Sequence, residues 1–155
     1  MTNCWTHHQK TVNGFRMHYV TAGSGYPLVL LHGWPQSWYE WRHVMPALAE
    51  RFTLIVPDLR GLGDSEKPMT GYDKRTMASD VSELVRQLGH EKAGVVGHDW
   101  GGAVAFYLAY DNRDLVERLL ILDMIPGLIR TGESFPHELA LKINHVFFHG
   151  GNPDW

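Results

Sequence analysis

The sequence predicts an α/β fold: a mostly parallel sheet with flanking helices and an antiparallel hairpin at its N-terminal end. Short continuous apolar runs, Leu28–Leu31, Phe52–Val56 and Leu119–Leu122, read as strands buried on both faces. They alternate with segments of helical period, and that alternation implies parallel strands joined by right-handed crossovers. Around Val95-Val96-Gly97-His98-Asp99-Trp100-Gly101-Gly102 a β-branched run meets a glycine-framed aspartate and then the helix-forming stretch Ala103–Tyr110, which reads as strand, sharp turn, helix.

The elements follow in order. Lys10-Thr11-Val12 and Arg16–Thr21 flank Asn13-Gly14, a strong signal for a two-residue hairpin turn. Ala22-Gly23-Ser24-Gly25 ends the hairpin, and the strand Leu28–Leu31 leads into His32-Gly33-Trp34-Pro35. Ser37–Glu50 is helical in pattern but broken at Pro46, which opens a second short helix. After the strand Phe52–Val56 comes the loop Asp58-Leu59-Arg60-Gly61-Leu62-Gly63-Asp64-Ser65, read as structural, with glycines for the turn and charges fixing the loop. From Asp73 to Leu88, Met77, Val81, Leu84, Val85 and Leu88 share one helical face; Asp73 is the N-cap and Gly89 the stop. Lys92–Val96 is the next strand, Gly101–Asn112 its helix, and Leu119–Leu122 a further buried strand ending at Asp123. Beyond Ile125-Pro126-Gly127 the pattern changes to a loop and a helix over 136–148.

Composition narrows the class. With 155 residues, 44% hydrophobic and 20% charged, the chain suits one globular unit or part of one. The net charge of -3 comes without a basic stripe, so neither nucleic acid nor an anionic membrane is expected as partner. The N-terminal residues lack the features of a signal peptide, and no apolar run reaches a membrane-spanning length. Cys4 is the only cysteine, which excludes an internal disulfide and suits a reducing cytoplasm. His145 and His149 have the spacing of a metal pair on a helix, but no third ligand accompanies them, so no metal and no cofactor is expected.

Gly97-His98-Asp99-Trp100-Gly101 has the form of a nucleophile elbow with aspartate at its centre. The central residue of such a turn takes a strained φ, and glycines two positions to either side let strand and helix pack closely. The competing reading, a phosphate-binding turn, fits poorly: a carboxylate there repels phosphate, and neither G-x-G-x-x-G nor a lysine is present in the turn.

With the hairpin, His32-Gly33-Trp34-Pro35, Asp58–Ser65 and Gly97–Gly102 in this order, the chain resembles the epoxide hydrolase and dehalogenase branch of the α/β hydrolases over almost every residue. The resemblance implies that residues 1–125 form the N-terminal part of the hydrolase core and 126–155 the start of a helical cap. It also implies that further strands, a base histidine and a cap tyrosine lie beyond Trp155. A carboxylate nucleophile displaces at saturated carbon, so the expected reaction is formation of an ester on Asp99 followed by its hydrolysis. The resemblance assigns the oxyanion-stabilising N–H groups to Trp34 and Trp100. It makes Asp123 the catalytic acid, the alternative being a plain strand-end aspartate capping a loop.

The small-molecule substrate is expected to be an epoxide or an organohalide. Haloalkane dehalogenases often have asparagine at the Trp34 position and hold halide with it and the tryptophan after the nucleophile. Fluoroacetate dehalogenases carry arginines at the Trp100 and Ala103 positions to grip a carboxylate. Epoxide hydrolases commonly combine an aromatic in H-G-x-P with tryptophan after the aspartate, and both are present here. Trp34 and Trp100 are therefore expected to line the substrate site as well. Asn144-His145-Val146 resembles the cap segment whose histidine assists epoxide opening, which makes His145 a substrate-binding candidate, against the alternative of a helix histidine with no such duty. Two readings stand beside the epoxide hydrolase: a haloalkane or haloacid dehalogenase using the same aspartate, and a non-catalytic fragment lacking the base. In the fragment reading, the sheet edge beyond Leu119–Leu122 is unpaired and apolar, inviting self-association.

Overall fold

The computed structural model describes residues 5–124. The expected cap segment, with His145, His149 and the helix over 136–148, lies outside the described residues.

The chain opens with β1 (Thr6–Val12) and β2 (Phe15–Ala22), paired antiparallel with Val12 opposite Phe15. The turn between them puts Asn13 at φ 45 and Gly14 at φ 82, the left-handed pair that a two-residue hairpin with right-handed strand twist requires. β3 (Tyr26–Leu31), β4 (Phe52–Pro57), β5 (Ala93–His98) and β6 (Val116–Leu122) complete a sheet ordered β1-β2-β4-β3-β5-β6. β3 pairs in parallel with β4 and β5, and β5 with β6, while β2 pairs antiparallel with β4. The mostly parallel sheet with an antiparallel hairpin is thus as expected.

The continuous apolar runs are explained by two cores, one on each face. Val29, Leu31, Ile55 and Val95 pack toward α2 (Lys74–Gln87) and α3 (Trp100–Asp111) together with Met77, Val81, Leu84, Val104 and Leu108. The alternate residues Leu28, Leu30, Leu54 and Val56 pack on the opposite face with Trp41 and Met45. Trp41 belongs to a 3-10 helix, Trp38–His43, and Met45 opens the one-turn α1 (Met45–Leu48), with Pro46 in its first turn. Asp73 caps α2 by accepting the Thr76 N–H at 2.9 Å, and Gly89 follows the helix at φ +84.

One expectation is corrected. β6 is not buried: Leu119, Leu120 and Leu122 are 39%, 52% and 38% exposed, because among the described residues β6 pairs only with β5 and ends the sheet on that side.

The loop Asp58–Ser65 is a polar clamp, as its glycines and charges suggested. Asp58 is fully buried and its carboxylate accepts from the Trp38 N–H at 2.7 Å, the Asp64 N–H at 2.9 Å and His18 Nδ1 at 2.7 Å. Gly63 lies against that carboxylate, where any Cβ would collide with it. Arg60 donates to both oxygens of buried Asp80 at 2.8 and 2.9 Å, and the Asn13 side chain donates to the same aspartate, so hairpin turn, loop and α2 meet at one carboxylate. Asp80→Ala leaves the Arg60 guanidinium buried without its partner and is expected to cost about 3–5 kcal/mol. The shift of the urea midpoint measures it, and a double replacement, Arg60→Met with Asp80→Leu, is expected to lose less.

Candidate active site

β5 ends at His98, and the chain turns into α3 through Asp99, whose φ of 50 and ψ of -117 lie outside the regions that an ordinary residue favours. The tightness of the turn explains this. A Cβ on Gly97 would meet the Gly101 carbonyl and the Ala105 side chain, and one on Gly101 would meet the carbonyls of Leu31 and His32. Both framing glycines are therefore needed, for close approach rather than for an unusual φ of their own. The Asp99 N–H donates to the Leu122 carbonyl at 3.1 Å, which puts Asp123 beside the elbow at the C-terminal end of β6.

The His32-Gly33-Trp34-Pro35 loop lies against Asp99. The Trp34 N–H donates to Asp99 Oδ1 at 3.0 Å, and a Cβ on Gly33 would fall 2.9 Å from Asp99 Cβ. Behind it, His32 is fully buried. Its Nδ1–H donates to the Gly33 carbonyl at 2.8 Å, and Nε2 accepts the Leu59 N–H at 3.0 Å. Burial pushes this imidazole pKa down, which holds it neutral, and with both nitrogens engaged it is a strut between the two loops. Glu40 braces the loop from the 3-10 helix: Oε2 accepts the Gly33 N–H at 2.8 Å. Its Oε1 lies 2.7 Å from His98 Nδ1, outside the angular range of a straight hydrogen bond. His98 thus faces Glu40, with Nε2 at 3.9 Å from Asp123 Oδ2.

Of the sequence-derived candidates, Asp99, Trp34, Trp100 and Asp123 come together at the C-terminal ends of β3, β5 and β6, where open α/β sheets hold their ligands. The Asp123 carboxylate is 90% exposed and its backbone has φ 52. The Trp34 and Trp100 rings lie 6.3 Å apart and, with Leu62, Met69 and Tyr72, line a cavity of about 460 Å³. An apolar groove of about 450 Å³, walled by Tyr26, Leu28, Phe52 and Leu119, sits at the opposite ends of the strands. His18, Asp58 and Asp64 bring donor atoms within 4.8 Å of one another, but Asp58 already serves His18 and two backbone N–H groups there, so the cluster acts as a loop clamp.

Two residues of the site escaped sequence reasoning. Glu40 sits in an aromatic run, Trp38-Tyr39-Glu40-Trp41, and an acid in so apolar a segment is the only local signal of its role. Lys74, the first residue of α2, places its Nζ 3.2 Å from the centroid of the Trp100 ring. Nothing local announces that contact.

The comparisons with known proteins fit this geometry. The family model described as alpha/beta hydrolase fold matches residues 26–148, and that described as epoxide hydrolase N terminus matches residues 1–41. The chain belongs to the α/β hydrolase fold family. It is 81% identical over 150 residues to a soluble epoxide hydrolase of Corynebacterium sp. (strain C12), covering 97% of this chain and 52% of that protein. It is 45% identical over 115 residues to a fluoroacetate dehalogenase of Burkholderia sp, covering 71% of this chain and 38% of that one. The ligand-free structure of the epoxide hydrolase CorEH superposes with a TM-score of 0.92 at 80% identity, over 97% of this chain and 53% of that one. This α/β hydrolase chain thus spans 38% to 53% of the length of these relatives. No helix among the described residues is long and apolar enough to cross a membrane.

Two predictions follow from the site's packing. Gly101→Ala is expected to cost about 3 kcal/mol, since strand and helix backbones must separate. Gly89→Ala, in open space at φ +84, is expected to cost about 1 kcal/mol; urea titration of both variants separates collision from backbone strain. Burial pushes the Lys74 ammonium down to about 8, against the pull of Asp73 and Asp99. Between about 8 and the ordinary value of 10.5 the unfolded chain binds the proton and the folded chain does not, so this group's contribution to stability rises with pH across that window. Thermal melts from pH 7 to 10 are expected to lose that rise in Lys74→Met.

Proposed function

We propose that this chain carries the nucleophile of an epoxide hydrolase, which opens an epoxide to a diol through an ester on Asp99. The observation that carries the reading is the Trp34 N–H held on Asp99 Oδ1 within an elbow that turns the aspartate out of the sheet. In this reading Oδ1 stays on the Trp34 N–H while Oδ2 attacks the epoxide carbon: the Oδ2–C bond forms as the ring C–O bond breaks, and the ring oxygen takes a proton from the cap tyrosine that the resemblance implies or from water. Oδ1 then becomes the ester carbonyl oxygen. When water, giving a proton to the base, adds to Cγ, negative charge develops on that same Oδ1, so the donor that orients the nucleophile also stabilises the oxyanion; collapse breaks the Cγ–Oδ2 bond and the departing alkoxide takes the proton back to complete the diol. The Trp100 N–H, at the start of α3, is the second donor in this reading, and Asp123 is the acid that orients the base.

Within the described residues the nearby histidines have other duties, His32 between Gly33 and Leu59 and His98 against Glu40. Hydrolysis of the ester needs a histidine to take the proton from water, a step to which a general base contributes roughly 10²- to 10⁴-fold. Trp34, Met69, Tyr72 and Trp100 favour an apolar or aromatic substituent on the epoxide. The tryptophan at position 100 also supports a dehalogenase reading through the same carboxylate.

Mixing the 155-residue chain with styrene oxide is expected to give at most a stalled adduct, mapped to Asp99 by peptide mass and missing in Asp99→Asn. Sustained diol production abolished by that substitution places a working base within the chain or a second copy. Halide release from 1-bromobutane, with neither adduct nor diol from styrene oxide, replaces the epoxide reading by the dehalogenase one.

A further inference from the structure

We infer that Glu40 is a positioning residue, a carboxylate tether that joins the loop carrying Trp34 to the turn carrying Asp99. One oxygen accepts the N–H of Gly33, the residue before Trp34, at 2.8 Å. The other lies 2.7 Å from the ring of His98, the residue before Asp99. The two residues held by this one side chain thus immediately precede the donor and the acceptor of the 3.0 Å Trp34 N–H to Asp99 Oδ1 bond.

The chemistry favours a carboxylate at this point. Its two oxygens, a fixed distance apart, can each face a different donor. Oε1 approaches His98 Nδ1 to 2.7 Å off the line of a straight hydrogen bond, so this arm of the tether is a close contact rather than a directed bond. Nε2 of the same ring is turned toward Asp123, 3.9 Å away. Among the described residues, the Glu40 side chain is 13% exposed and faces the Gly33 peptide and His98, which stands between Glu40 and Asp123.

The tether also has mechanical consequence. Gly33 packs so closely on Asp99 that an added Cβ would fall 2.9 Å from Asp99 Cβ, so a shift of the Gly33 peptide changes the aim of the next N–H at the carboxylate. Small misplacements of this kind cost rate out of proportion to their size. Glu40 acts on the site through Gly33 and His98, the residues its two oxygens face.

The test compares the full 155-residue chain with Glu40→Ala and Glu40→Gln. The first readout is amide hydrogen exchange in peptides containing Gly33 and Trp34, with peptides of α2 as the reference for global stability. Glu40→Ala is expected to speed exchange at Gly33 and Trp34 by about tenfold or more while α2 keeps its protection. Glu40→Gln keeps an acceptor for the Gly33 N–H and is expected to stay within about threefold of the parent. The second readout, which rests on the proposed ester chemistry, is the rate of adduct formation on Asp99 with styrene oxide. It is expected to fall by about 10- to 100-fold in Glu40→Ala and to recover in Glu40→Gln. Unchanged exchange at Gly33 and Trp34 in Glu40→Ala overturns the tether, as does an equal loss of protection in α2, which marks a merely structural residue. Locally faster exchange in Glu40→Ala, with neither adduct nor diol from the parent chain and styrene oxide, upholds the tether and overturns the epoxide reading instead.

Discussion

The arrangement of the site depends on how closely the first turn of α3 approaches the ends of β3 and β5. Gly101 lies against the carbonyls of Leu31 and His32, and Gly97 against the carbonyl of Gly101, with no room for a methyl group at either position. The chain can reverse in so little space only if one residue between them leaves the usual backbone regions, and Asp99 does so at φ 50. The strain, of order 1–3 kcal/mol, is held by strands buried on both faces and by a helix whose inner residues, Val104, Ala105 and Leu108, are fully buried. A looser approach would let Asp99 relax and would carry its side chain away from the Trp34 N–H.

Around this turn, buried polar groups hold loops that apolar packing alone would leave free to slide. Asp58 gathers the start of the 3-10 helix, the hairpin strand β2 and its own loop; His32 joins the Trp34 loop to Leu59; Arg60 and Asp80 join that loop to α2. Each is nine-tenths or more buried, so each bond forms where no water competes for the same atoms. Such pairs add little net stability against an apolar alternative, but a displaced loop would strand a buried charge or donor, and that penalty selects one geometry. The candidate site inherits its definition from them.

Much of the architecture could be read along the chain because it rests on short-range preferences. Asn13-Gly14 specified the hairpin, since both residues tolerate positive φ; Asp73 and Gly89 bracketed α2; and the unbroken apolar runs marked strands covered on both faces. Leu119–Leu122 shows the limit of that last inference. The same pattern that marks a central strand marks one at the end of the described sheet, and only the strand order reveals the difference.

By itself the sequence determined that strands would alternate with helices, that a tight turn would set an aspartate between two glycines, and that Trp34 and Trp100 would accompany it. The first two follow from φ preferences, side-chain period or glycine spacing within a few residues; the third was implied by the resemblance of the His32–Pro35 and Gly97–Gly102 motifs to those of the hydrolase branch. Only the tertiary structure decided which hydrogen bond Trp34 makes, that Glu40 spans Gly33 and His98, and that Lys74 lies on the Trp100 ring. Those contacts join elements brought side by side by the sheet order, and their strength depends on distance and desolvation, quantities that no stretch of chain carries alone.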